Sequence, residues 1–292
     1  MWARGSGPGH RVCCPRMERW RLIVSAAAPG ARQLALDQAM AEAVQDGRQP
    51  PTLRFYTWWP RALSLGFSQR FALVDAALAG VRGVGVVRRP TGGQAILHHD
   101  ELTYAIALPR QHALAAGGGS ASYQRLSHGL VAGLLTLGLA PDPAHPLAPG
   151  DRRVRAPAAL TSVGDPRAHT SLAVCFATPS AHELVVHGHK VVGSAQSRAH
   201  RGLLQHGSIA LSHDPDVYPL LRSAPQSAPL RGLRDLLPHL PAVGGLIEVF
   251  AAGFAACLQV HLDPAVFSAM EVARADELVR VRYASDAWTQ RV

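Results

Sequence analysis

The chain has 292 residues, 48% of them hydrophobic and 17% charged, with a formal net charge of +9. That is enough apolar material for one sizeable core, so a single large domain is expected. The positive residues are scattered, no block of five or six like charges occurs, and aromatics make up 6%; a basic surface of this kind is expected to meet an acidic protein rather than nucleic acid.

The first segment, Met1–Arg16, lacks the apolar core of a signal peptide. Met17 directly precedes Glu18–Arg19–Trp20, so residues 1–17 are read as a disordered tail or non-native start, and 18–292 as one domain. Arg19–Ser25 reads as a strand. Arg32–Asp46 reads as a helix, with Leu36, Met40, Ala43 and Val44 on one face and Gly47 as its stop. Strands are expected at Thr52–Thr57 and Ala62–Gly66, a helix at Arg70–Ala79 and a strand at Gly80–Val87. A glycine loop, Arg88–Gly93, precedes Ile96–His98 and Leu102–Leu108, which read as a strand pair. Gly117–Gly119 reads as a hinge, and Tyr123–Leu137 as a long helix on the spacing of Leu126, Leu130 and Leu134. Pro141–His169 is rich in proline and arginine and reads as a mobile surface loop.

Ala173–Phe176 reads as a strand broken by Pro179 and Ser180. Glu183–Val186 reads as another, and His187–Gly188–His189 as a turn that starts a third strand at Lys190–Val192. Asp214–Leu221 is expected to be loop with a short turn, and Arg222–Pro241 a proline-rich connector. Val243–Leu262 is strongly apolar but contains Glu248, Gln259 and His261, so a buried helix is expected rather than a membrane span. Pro264–Val281 reads as a final helix.

The four cysteines are Cys13, Cys14, Cys175 and Cys257, with no CxxC pair. Neither a structural zinc site nor a disulfide framework is expected, and the compartment is read as reducing and cytoplasmic. His187, His189 and His206 lack a carboxylate or cysteine at familiar ligand spacing, so no metal is expected. Cys257 has no motif around it and reads as core. Cys175 on its own reads either as a small buried apolar residue or as a nucleophile. Lys190 lies fifteen positions further on. The hairpin between them can fold its ammonium back beside the thiol and favour the thiolate. The loop Arg88–Ala95 holds its glycines either for a tight turn or for close approach of backbone amides to a ligand. His98 and His99 are open between surface and pocket positions.

Two long stretches, RRPTGGQAILHHDELTYAI (Arg88–Ile106) and KVVGSAQSRAHRGLLQHGSIAL (Lys190–Leu211), resemble the signatures of the lipoate-protein ligase and octanoyltransferase family, in the family's order. The likeness runs from about Trp20 to Leu211 and more loosely to the end. It implies an α+β fold: a mixed, largely antiparallel central sheet flanked by helices, like the catalytic domain of biotin and lipoate ligases. It implies that Cys175 and Lys190 are catalytic, the lysine lying against the acyl carbonyl. It also implies that Arg89, Thr91, Gly92, Gly93, Gln94, Ala95, His98, Gly193, Ser194, Ala195, His206 and Gly207 form the substrate pocket. Gln94 stands where the ligases usually carry a third glycine, and they typically lack the cysteine.

The activity implied is octanoyl transfer in lipoate biosynthesis, without cofactor. The donor would be octanoyl-acyl carrier protein and the acceptor a lysine of a lipoyl domain, such as that of the glycine-cleavage H protein. The alternatives are an ATP-dependent lipoate-protein ligase, an amidotransferase between lipoyl domains, and a non-catalytic carrier-binding protein with the same fold.

Overall fold

A computed structural model describes residues 17–142, 174–175, 183–198, 202–222 and 230–292. The tail expected at 1–16, most of the surface loop at 141–169, the break at Pro179 and Ser180, and residues 223–229 of the connector lie outside the described residues. Of the strand expected at 173–176, only Val174 and Cys175 are described.

The central sheet has seven strands: β1 (Glu18–Val24), β2 (Thr52–Tyr56), β6 (Glu101–Pro109), β7 (Leu184–Val186), β8 (His189–Ser197), β9 (Gly202–Ala210) and β10 (Val260–Ala265). Their order is β10-β1-β2-β6-β9-β8-β7. The pairings of β1 with β10 and β2 are parallel, and the other four are antiparallel. A second sheet of three strands, order β4-β3-β5, is built from β3 (Ala62–Leu65), β4 (Gly85–Arg88) and β5 (Ile96–His98). The expected α+β class and mixed, largely antiparallel sheet are therefore present.

Helices cover both faces of the central sheet, which accounts for strands such as β6 and β9 being buried along almost their whole length. On one face lie α3 (Gly118–Thr136) and α6 (Val243–Leu258). They approach so closely that Gly129 sits against Phe254 and Gly133 against Phe250, with no room for a side chain at either glycine. On the other face lie α1 (Gly30–Gln45) and α7 (Ala269–Leu278). Ser268 and Glu271 form a capping box at the start of α7. Glu271 also pairs with buried Arg21 of β1 at 2.7 Å, which fastens that helix to the sheet. Three short helices, α2 (Ala76–Val81), α4 (Val217–Leu220) and α5 (Leu233–Leu236), a last one, α8 (Asp286–Thr289), two 3-10 turns at Phe71–Leu73 and Ala113–Ala115 and a π-helical turn at Val279–Tyr283 complete the described elements.

Several expectations need correcting. Ile96–His98 and Leu102–Leu108 do not pair with one another. The turn after His98 passes the chain from the small sheet to the central one, so β5 pairs with β3 and β6 with β2 and β9. The helix expected over Val243–Leu262 ends at Leu258, where Gln259 takes a left-handed conformation. Val260–Ala265 is instead an edge strand, a position that tolerates Pro264. The last long helix accordingly begins at Ala269, not Pro264. The helix expected at Arg70–Ala79 is a 3-10 turn at Phe71–Leu73 followed by α2, whose start Asp75 caps by accepting from the Leu78 amide at 2.9 Å. Cys257, expected in the core, is exposed, because α6 buries the stripe through Leu246, Phe250 and Phe254 and turns its small residues outward.

Candidate active site

Cys175 is tied to the end of the glycine loop, next to β5 of the small sheet. Val174 bridges Ala95, and the Cys175 amide donates to the Ala95 carbonyl at 2.9 Å. Lys190 is the second residue of β8 and pairs with Val185 across the hairpin. Its side chain runs along β8 past Gly193 to Cys175, which the hairpin reading expected it to reach. Nζ lies 3.3 Å from Cys175 Sγ, 2.7 Å from the Cys175 carbonyl and 2.5 Å from Glu183 Oε1. Glu183 thus accompanies the pair. The sequence reading placed it at the start of the strand expected over Glu183–Val186 and gave it no role at the site, yet a cation entering an apolar strand calls for such a partner.

Gly193 explains how β8 can carry this lysine beside the sulfur. A Cβ built there would come within 3.1 Å of Lys190 Cε and 3.6 Å of Cys175 Sγ. Gly207, opposite Ser194 on β9, lacks room for a side chain between Ser194 Oγ and the Tyr104 ring. Small residues here open the front of a pocket lined mostly by apolar surface. Of the residues expected to form it, Arg89, Gly92, Gly93, Gln94, His98, Gly193, Ser194, Ala195, His206 and Gly207 line its wall, with Cys175. Thr91 and Ala95 are fully buried behind it.

Arg89 holds the loop from inside. Its guanidinium donates to the carbonyls of Ser64, Gly92 and Gln94 at 3.1, 2.8 and 2.8 Å. Gly93 takes φ +94°, which brings its carbonyl against Gly66. Burial pulls the Arg89 guanidinium below its ordinary range, and the nearby Cys175 sulfur acts in the opposite sense. Both readings of the loop therefore apply, since it is a clamped turn and also a pocket wall.

Two buried polar networks back the pocket. In the first, His206 joins Thr91 Oγ1 through Nε2 at 2.7 Å and Asp37 Oδ2 through Nδ1 at 3.1 Å. Asp37 also accepts from Arg54 at 2.6 Å and Tyr56 at 2.8 Å. Burial raises the Asp37 carboxyl, but Arg54, His206 and Tyr56 outweigh it and hold the group below its usual value. In the second, His98 Nδ1 lies 2.8 Å from Glu101 Oε1 and Nε2 lies 2.7 Å from Ser64 Oγ. The Glu101 carboxylate accepts from Nδ1–H. Trp58 stacks on this imidazole at 3.8 Å and donates to Thr103 Oγ1 at 2.7 Å. His98 is thus buried and His99 exposed. Tyr104, pushed up to about 12 by burial, stays a phenol between Ser194 Oγ and Gln205.

Leu34, Tyr56, Trp58, Ser64, Ile96, Thr103, Glu183 and Ser208 also line the pocket, though sequence reasoning passed over them. Ile96, Thr103 and Ser208 lie inside the two signature stretches, while Leu34, Tyr56, Trp58, Ser64 and Glu183 lie outside them. Among the described residues no group of three His, Cys, Asp or Glu side chains could hold a metal ion, and no helix is long and apolar enough to cross a membrane. Both ring nitrogens of His206 are bonded within the protein.

The family described as lipoyl protein ligase A/B catalytic domain matches residues 29–254. The chain is 38% identical over 288 residues to octanoyltransferase LipM of Brevibacillus brevis, covering 94% of this chain and 100% of the relative. It is 34% identical over 286 residues to octanoyltransferase LipM of Bacillus subtilis, covering 94% and 99%. Among solved structures, lipoate-protein ligase A bound with ATP superposes with TM-score 0.72 at 21% identity, covering 94% of this chain and 99% of that one. A bi-partite lipoate protein ligase from Thermoplasma acidophilum does so with TM-score 0.69 at 19% identity, covering 94% and 97%. At such identities these two structures speak for the fold alone. The length and identity of the match to the sequence relatives place the chain in a family: it belongs to the lipoyl protein ligase A/B catalytic domain family.

Proposed function

We propose that the protein is an octanoyltransferase of lipoate biosynthesis. It takes octanoyl from octanoyl-acyl carrier protein, holds it as a thioester on Cys175, and passes it to a lysine amine of a lipoyl domain, with the glycine-cleavage H protein as acceptor. The observation that carries this reading is the 3.3 Å approach of Lys190 Nζ to Cys175 Sγ at the wall of a largely apolar pocket. The sequence relatives named octanoyltransferase support the same acyl group.

The chemistry follows from the geometry. The Cys175 thiolate attacks the carbonyl carbon of the donor thioester, and Lys190 donates to the oxyanion that forms. The intermediate collapses, the donor carbon–sulfur bond breaks, and the carrier sulfur leaves with its electron pair and takes a proton. The acceptor lysine, deprotonated, then attacks the acyl-enzyme; the Cys175 carbon–sulfur bond breaks with its electron pair on sulfur, the nitrogen gives up a proton to the thiolate or to solvent, and an amide forms. Exchange of one thioester for another is close to isoenergetic, and thioester to amide runs downhill, so the sequence needs no nucleotide.

Intact-mass measurement after incubation with octanoyl-acyl carrier protein, without ATP, tests this. An octanoyl adduct is expected in the wild type and absent in Cys175→Ser, and addition of apo H protein is expected to clear it. Product formed only with ATP and free acid would make the protein a ligase. Full activity in Cys175→Ser would remove the covalent intermediate.

A further inference from the structure

An ammonium carries three N–H groups. On Lys190 these face Glu183 Oε1, the Cys175 carbonyl and Cys175 Sγ. Glu183 and the thiol therefore draw on one cation, and the carboxylate oxygen lies within about 6 Å of the sulfur, a range over which buried charges interact strongly. The Lys190 and Glu183 side chains are 1% and 8% exposed, so solvent screens the trio weakly.

Counting charge shows what this does. In a bare cysteine–lysine pair, losing the thiol proton turns a buried cation into a neutral ion pair. With Glu183 present, the resting set of thiol, ammonium and carboxylate is already neutral. Ionising the thiol then adds a second negative charge to these three groups, with Arg89 as the further cation that offsets it, so the thiolate is less favoured than beside the lysine alone. Glu183 thus anchors the amine and opposes the thiolate that the amine promotes.

We propose that Glu183 is a positioning residue that acts through Lys190: it fixes Nζ against Cys175 and keeps the Cys175 thiol from becoming too acidic to accept an acyl group from a carrier thiol. The proposal rests on the acyl-transfer reading above. The acylated cysteine competes with the free thiolate, so whatever stabilises the thiolate disfavours acylation. A thiolate that is too stable is also a weaker nucleophile and a better leaving group. Lys190 alone would overshoot in that direction, and Glu183 restrains it.

Among the described residues, the other ionisable groups that interact with the trio are Arg89, Tyr123 and His213. Arg89 from the glycine loop is a buried guanidinium that interacts electrostatically with the Cys175 sulfur. Tyr123 from α3 is held as a neutral phenol by burial. His213, after β9, is lowered to about 4 by burial and is neutral near pH 7.

The experiment uses the full chain with Glu183→Gln and Glu183→Asp, each checked for folding by circular dichroism. The pH midpoint of iodoacetamide alkylation is read on the peptide that carries Cys175. The ratio of acylated to free enzyme is read at equilibrium with equal octanoyl-acyl carrier protein and free carrier. In Glu183→Gln the alkylation midpoint is expected to fall by about one pH unit, and the acylation ratio, measured above both midpoints, by about tenfold. Glu183→Asp, which keeps the charge, is expected to stay near the wild type. A midpoint that is unchanged or raised in Glu183→Gln overturns the proposal, as does a Glu183→Asp shift as large as that of Glu183→Gln. Absence of any acyl-enzyme in the wild type would instead overturn the acyl-transfer reading, and the alkylation midpoints would still decide the role of Glu183.

Discussion

Thr91 Oγ1 and His206 Nε2 lie 2.7 Å apart, and this bond fastens the glycine loop to strand β9. It joins two stretches 115 positions apart in sequence, and both belong to the pocket's surround. Thr91→Val keeps the shape and removes the hydroxyl, leaving a buried imidazole nitrogen without its partner. The expected cost is about 1–3 kcal/mol of stability, measured as a lower urea midpoint, with a raised KM for the acyl donor. Thr91→Ser restores most of both. Equal stability of Thr91→Val and the wild type would mean that the loop is held by Arg89 alone.

How much of this could be read beforehand depends on whether a feature is local. The glycine loop, the Lys190 turn and the helices α1 and α3 lie within short windows whose periodicity and turn residues specify them. The hairpin reading also brought Lys190 to Cys175, because the intervening turn sits at His187–Gly188. Strand partnership was not legible. Nothing in Ile96–His98 says that it pairs with β3 rather than with its neighbour β6. The strand at Val260–Ala265 was hidden by an apolar run that continues from α6, and its signal is the β-branched and proline-containing segment after Gln259. The capping box Ser268–Glu271 was present in the sequence and marks the true start of α7. The pocket's far wall, built from Trp58, Ser64 and Thr103, depends on the register of two sheets, which no single stretch encodes.

Asp37 makes stability depend on acid. Its carboxyl is held below the ordinary value in the fold, so its contribution is complete above about pH 4 and is lost as pH falls through the lower folded value. At pH 7, Asp37→Asn leaves Arg54 buried without its carboxylate, and the expected cost is about 3–5 kcal/mol. The gap between the two proteins should narrow as pH falls, because the wild type loses the same interaction by protonation. Urea melts at pH 7 and at pH 3.5 measure this, and a gap that widens in acid would contradict the assignment.

His213 acts in a separate window. Burial outweighs the pull of Asp235 and Glu101 and lowers it to about 4 in the fold. Unfolded, it takes up its proton near 6.5, so stability is unaffected above that pH and declines as pH falls from 6.5 toward 4. The loss is expected to be roughly 2–3 kcal/mol over that range. His213→Gln stays neutral throughout and should lose this part of the slope. If the variant and the wild type keep parallel stability curves between pH 7 and 4, His213 does not titrate as described.

Gly193→Ala separates catalysis from folding. A Cβ at this position meets only the far end of the Lys190 side chain at 3.1 and 3.4 Å and the Cys175 sulfur at 3.6 Å. The backbone is ordinary β8 strand, so alanine is not strained there. The lysine end is flexible and gives way, which carries Nζ off its line between Glu183 and the sulfur. Because reaction rates depend steeply on such placement, the acylation rate is expected to fall by about tenfold, while stability stays within about 1 kcal/mol of the wild type. Single-turnover acylation followed by intact mass, alongside a thermal melt, gives both values. Wild-type acylation in Gly193→Ala would show that Nζ can move several tenths of an ångström without consequence, and the close approach of Lys190 to Cys175 would then not be what sets the rate.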